Sequence, residues 1–106
     1  MTFKEYDQYD GLGLAALVKT KQVTAREVLE AAISRAEALN PSLNFLTHKA
    51  YDLARAAADD RNRPHGPLHG VPWLVKELAT AWAGQPYTNC VPYLKDVIAP
   101  LRSRNA

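Results

Sequence analysis

The chain has 106 residues, the length of one ordinary domain, and its 47% hydrophobic and 23% charged side chains make it globular rather than disordered. Thirteen basic and eleven acidic residues are spread along it for a formal charge of +2, so no basic stripe of the kind that binds nucleic acid is present, and only Arg102 and Arg104 make the tail locally basic. No apolar run approaches membrane-spanning length, and the single cysteine, Cys90, excludes an internal disulfide and a cysteine-built metal site.

The first ten residues, "MTFKEYDQYD", lack the basic-then-apolar order of a signal or transit peptide, which makes the cytoplasm the expected compartment. Much of the apolar fraction is alanine, so a thin core is expected. Asp10 is a candidate N-cap for a short helix whose Leu14, Leu17 and Val18 share one face. A second helix is predicted from Ala25 to Leu39: Thr24 and Glu27 form a capping box, and Val28, Leu29, Ala32, Ile33, Ala36 and Leu39 recur at helical period. Asn40-Pro41 is expected to stop it. Leu43, Phe45 and Thr47 alternate as in a brief strand, and helical character resumes in "AYDLARAAADDR". Residues 62–72, with two glycines and three prolines, must be a loop, after which Trp73, Leu74 and Val75 read as a short buried strand. From Ala79 onward the sequence reads as largely irregular, and "LRSRNA" follows "YLKDVIAP" with no cap or periodic segment behind it, as in a chain that has been cut.

Lys76 ends the apolar run. If the preceding side chains are buried, its ammonium is drawn toward low dielectric, where a neutral, basic amine is favoured. The alternative is a lysine that snorkels to the surface or pairs with Glu77. A lysine base needs a nucleophile, yet the three serines, Ser34, Ser42 and Ser103, all lie outside any Gly-rich turn. Cys90 with His69 as its base is the other nucleophilic pairing, against which stands the ordinary reading of a lone cysteine as a buried thiol. His48, His65 and His69 are spaced unlike a zinc site, and Asp59-Asp60 reads as a solvated helix end, so neither a metal nor a cofactor is expected.

The stretch "GPLHGVPWLVKE" resembles the loop of the amidase signature family, whose usual form is G-P-L-x-G-V-P followed by apolar residues and K-D. The preceding "LAALVKTKQVTAREVLEAAISRAEALNPSLNFLT" is similar to that family's N-terminal helical region, and the likeness runs from about Leu14 to Pro100. Members hydrolyse carboxylic amides with a serine nucleophile, a bridging serine in a cis peptide and a lysine as the ultimate base. By this resemblance Lys76 stands at the catalytic lysine. The implied fold is α/β: a helical preamble over about 10–62, then the Gly/Pro loop and a lysine-bearing strand over about 63–78, as the truncated N-terminal part of a mixed-sheet domain. Two departures are Glu77 for the usual aspartate and Asn89-Cys90 where Gly-Ser is common. The Gly/Ser-rich segment with both catalytic serines would follow Pro100.

The resemblance implies a small-molecule amide as substrate, with neither nucleic acid nor membrane as partner. Two readings compete. One is an N-terminal fragment of such a hydrolase, inactive alone. The other is a small helical interaction module derived from it, using an exposed apolar strand, through which the chain would also self-associate. In both, the strand lacks neighbours and Trp73 is left partly wet.

Overall fold

The computed structural model describes residues 3–76, 83–86, 93 and 96–99. They fall in two compact units, 1–72 and 73–106.

In the first unit a 3-10 turn, Tyr6–Gln8, precedes three α-helices: α1 (Gly11–Lys19), α2 (Ala25–Leu43) and α3 (Tyr51–Asp59). Asp10 caps α1 as its sequence predicts, its Oδ1 accepting from the Gly13 N–H at 2.7 Å. Thr24 Oγ1 accepts from the Glu27 N–H at 3.0 Å and so caps α2, leaving one fewer amide without a partner in the first turn. Thr24→Ala is expected to lower stability by about 1 kcal/mol in urea titrations followed by helical circular dichroism, with Thr24→Asn close to the parent. The buried side chains of this unit are Leu14 and Ala15 on α1 and Val28 and Ala31 on α2, the thin core that an alanine-rich composition leads one to expect. An ion pair from Arg35 to Asp7 ties α2 to the 3-10 turn.

Pro41 does not end α2. The helix runs through it to Leu43 and closes on Asn44 in the left-handed conformation (φ 50°, ψ 44°), whose N–H returns to the Asn40 carbonyl at 2.7 Å. The Asn40 side chain accepts from the Leu46 N–H at 2.8 Å and donates to the Leu46 carbonyl at 3.4 Å, so the last turn is held from outside the helix and tolerates the missing proline donor. This clamp also overturns the brief strand expected at Leu43, Phe45 and Thr47: Leu43 is helical, and no strand is present there to pair with.

Charge makes most of the specific links between α3 and α2. Glu30 accepts from Arg26 on its own helix (3.0 Å) and from two nitrogens of Arg55 on α3 (2.7 and 3.3 Å). Arg26 also reaches Asp59 (2.7 Å), and Glu37 takes both the Tyr51 hydroxyl (2.6 Å) and Lys49 Nζ (2.8 Å). The Arg55 hydrogen bonds, aided by Arg26, hold the Glu30 carboxyl below the usual carboxylate range, and Lys49 and then Tyr51 do the same for Glu37. Partial desolvation and the hydrogen bond to Glu37 push the Tyr51 hydroxyl up to about 12.

The expected α/β fold is not what the chain adopts. Among the described residues no strand is formed: 71–76 are irregular, and the only pairing is an isolated antiparallel bridge, Pro86 with Ile98, in the second unit. There the Gly84 N–H donates to the Ala99 carbonyl and the Ala99 N–H to the Gln85 carbonyl, both at 2.9 Å, around a buried Ala99. The apolar run beyond Pro72 has strand propensity but no described neighbour to take its backbone donors and acceptors, and a single segment does not make a sheet. Among the described residues no helix is long and apolar enough to cross a membrane.

Candidate functional site

The Gly/Pro segment after α3 is shaped by local hydrogen bonds. Asp60 Oδ1 accepts from the Asn62 N–H at 2.9 Å, and Arg63 donates back to the Ala57 carbonyl at 3.0 Å, so the chain leaves α3 through a tight bend. Two successive turns follow, His69 N–H to the Gly66 carbonyl (3.2 Å) and Val71 N–H to the Leu68 carbonyl (3.1 Å). The His65 and His69 rings stack across the first of them, with centroids 4.0 Å apart. Gly70 takes φ +84°, and a Cβ there would lie 2.8 Å from Val18 Cγ1. Leu68 lies against the start of α1, its Cδ2 3.5 Å from where a Gly11 Cβ would stand. The loop therefore rests on α1 at both ends of that helix.

Pro72 closes the first unit and Trp73 opens the second. Trp73 is 77% exposed, Leu74 66% and Val75 37%, and Lys76 is exposed as well. The buried strand expected at these residues is thus overturned, whereas the expectation that Trp73 stays partly wet matches its exposure. Glu77, Asn89, Cys90 and Ser103 lie outside the described residues.

Of the candidate nucleophiles that are described, Ser34 is exposed on α2, and Ser42 in the last turn of that helix donates to the Leu39 carbonyl at 3.2 Å. Neither sits on the Gly-flanked turn that presents a serine nucleophile. Asp59 is engaged by Arg26 and Asp60 by its own bend, consistent with the solvated helix end expected there. No group of three or more His, Cys, Asp or Glu side chains able to hold a metal occurs among the described residues.

An open cleft of about 450 Å³ lies elsewhere in the first unit, lined by residues including Phe3, Tyr9, Leu17 and Glu27. It contains neither a serine nor a lysine. Sequence reasoning missed the seat of Gly70 on Val18. The signals for it were a glycine between two turns and a β-branched residue near the end of the α1 apolar face.

A family comparison matches residues 27–104 to the family described as Amidase. AmiC of Mycobacterium tuberculosis, whose name marks it as an amidase, is 42% identical over 77 residues, 73% of this chain and 16% of AmiC. Indoleacetamide hydrolase of Bradyrhizobium diazoefficiens is 37% identical over 99 residues, 88% of this chain and 19% of that enzyme. Acylamidase of Rhodococcus erythropolis is 36% identical over 94 residues, 81% of this chain and 19% of the relative. The chain thus spans 16–19% of the length of these curated relatives. No solved structure matches it. With most of its length matched, from Glu27 to Arg104, this chain belongs to the amidase family.

Proposed function

We propose that this chain is the N-terminal, lysine-bearing part of an enzyme that hydrolyses carboxylic amides, with Lys76 as its base. The observation that carries the reading is the stretch from Gly66 to Lys76, which lies inside the segment matched to the amidase family and keeps the family's order of glycines, prolines, apolar residues and lysine. On this reading the helical preamble covers about residues 10–62, and the Gly/Pro loop with the lysine-bearing segment covers about 63–78.

The neutral amine of Lys76 takes a proton from a bridging serine, which in turn takes the proton of the nucleophilic serine as its oxygen attacks the amide carbonyl. The leaving amine departs protonated, and water releases the acid from the acyl-enzyme. Both serines and the donors for the oxyanion would come from sequence that this chain does not hold. The exposure of Trp73, Leu74 and Val75 supports that division, because the low-dielectric surroundings a basic lysine needs are not supplied by these residues alone. Indoleacetamide and acyl-amide names among the relatives favour a small amide as substrate. A cytoplasmic setting accords with the single cysteine, since it can form no disulfide within the chain.

A base without its nucleophile does not give covalent catalysis, so the 106-residue chain is expected to hydrolyse none of a panel of short aliphatic and aromatic amides. Ammonia or amine release that persists through purification and disappears in Lys76→Ala would show that the chain is a complete catalyst and that this division of labour is wrong.

A further inference from the structure

The Gly/Pro loop is anchored by two different kinds of force. At its far end Gly70 is seated on Val18 by close packing, whereas at its near end the loop begins at α3, and α3 contributes no buried residue to the core. Its half-buried side chains toward the first unit are Tyr51, Ala54, Arg55, Ala57 and Ala58, while Leu53 is 47% exposed. Three alanines and one half-buried tyrosine ring, with no fully buried side chain, remove too little apolar surface from water to offset the ordering of nine residues. What specifies the position of α3 is the set of ionic links to α2.

We propose that α3 is an ionic strap, which releases from α2 when its charges are screened or neutralised and leaves the rest of the first unit folded. The groups facing Glu30 are Arg26 on α2 and Arg55 on α3, with Asp52 and Asp59 completing the cluster; those facing Glu37 are Lys49 and Tyr51. These side chains are roughly a third to more than half exposed, and Asp52 is fully so, which is the setting in which salt weakens ion pairs. The core residues Leu14 and Val28 are apolar and insensitive to the same change. Glu30 and Glu37 both have lowered folded values, so their contribution is complete above the ordinary glutamate value of about 4.3 and is lost as pH falls through the lowered folded values. At the alkaline end Tyr51 remains a donor to Glu37 until about 12.

Opening of the strap frees the near end of residues 60–72 while the Val18–Gly70 seat holds the far end. The loop then becomes responsive to ionic strength from one side only. This inference goes beyond the amidase reading and does not depend on Lys76.

Amide hydrogen exchange on the 106-residue chain tests it, comparing about 20 mM with about 500 mM sodium chloride, where the Debye length falls from tens to a few ångströms. Protection of the α3 amides is expected to drop about three- to tenfold, while that of α2 near Val28 changes less than twofold. Glu30→Gln at low salt should reproduce the α3 loss and blunt the salt response; if that variant does not fold, Asp59→Asn should show the same pattern. Asp7→Asn, which breaks the link to the 3-10 turn, should leave α3 unaltered. Parallel loss of protection in α2 and α3, an α3 indifferent to salt, or a full salt response in Glu30→Gln would each overturn the proposal.

Discussion

Lys76→Ala is expected to lower turnover by about a hundredfold to ten-thousandfold once this chain is joined to the downstream part of a relative such as the Bradyrhizobium indoleacetamide hydrolase, the range ordinarily lost with a positioned general base. The loss should fall on kcat with little change in KM, because a base that moves a proton in the transition state contributes little to holding the ground-state amide. Lys76→Arg should be nearly as damaging, since a guanidinium stays protonated and cannot accept the proton. Lys4→Ala is the matched control: Lys4 is exposed in the first unit, and its loss should alter kcat less than twofold. Steady-state kinetics of the four proteins on one aromatic amide decide the matter. If Lys76→Ala and Lys4→Ala behave alike, Lys76 is not the base.

Gly70→Ala is expected to destabilise the chain by about 2–5 kcal/mol, as a left-handed φ at a non-glycine residue adds roughly 1–2 kcal/mol and overpacking adds roughly 1–3. Both terms are present here. The backbone has φ +84°, and the new methyl would meet Val18 Cγ1 at 2.8 Å and Cγ2 at 3.2 Å. The two contributions can be separated. In a Val18→Ala background both methyl contacts are gone and only the 3.3 Å approach to the Val18 Cβ remains beside the backbone penalty, so the same substitution should then cost less, about 1–2 kcal/mol. Urea titrations should follow far-ultraviolet circular dichroism, which reads the three helices of the first unit directly, since Trp73 is 77% exposed in the native chain and is a poor reporter of that unit. An equal cost in both backgrounds would place the strain entirely in the backbone and remove Val18 from the account.

The helices were legible in the sequence because their causes are local. Asp10 and Thr24 accept the first-turn amides that their positions suggest, and the apolar spacing of Leu14 and Val28 puts both in the core. What the sequence misled about were features decided at a distance. Pro41 reads as a stop, yet Asn40 reaches six residues ahead to Leu46 and secures the turn around it. Trp73-Leu74-Val75 reads as a strand because those side chains suit a pleated, half-buried surface, but a strand is defined by its partner, and no described residue serves as one.

The charge network shows the same division. Arg26 and Glu30 are visible as a helical i,i+4 pair, whereas the link from Glu30 to Arg55 spans 25 positions and follows only from the way α3 folds back. For the candidate site, the motif around Lys76 and the absence of a serine on a Gly-rich turn could both be read directly. The sign of φ at Gly70 and the identity of the side chain beneath it could not, since glycine marks conformational freedom without saying which conformation is used or what approaches it.

The most direct test of the central claim is amide turnover by three proteins measured side by side: residues 1–106 alone, the downstream part of the indoleacetamide hydrolase relative alone, and the two joined in one chain. Turnover is expected from the joined chain only, because the lysine and the serines are then held in one chain. A downstream part that hydrolyses the amide as fast without residues 1–106 as with them, or a joined chain that folds and hydrolyses nothing, would contradict it.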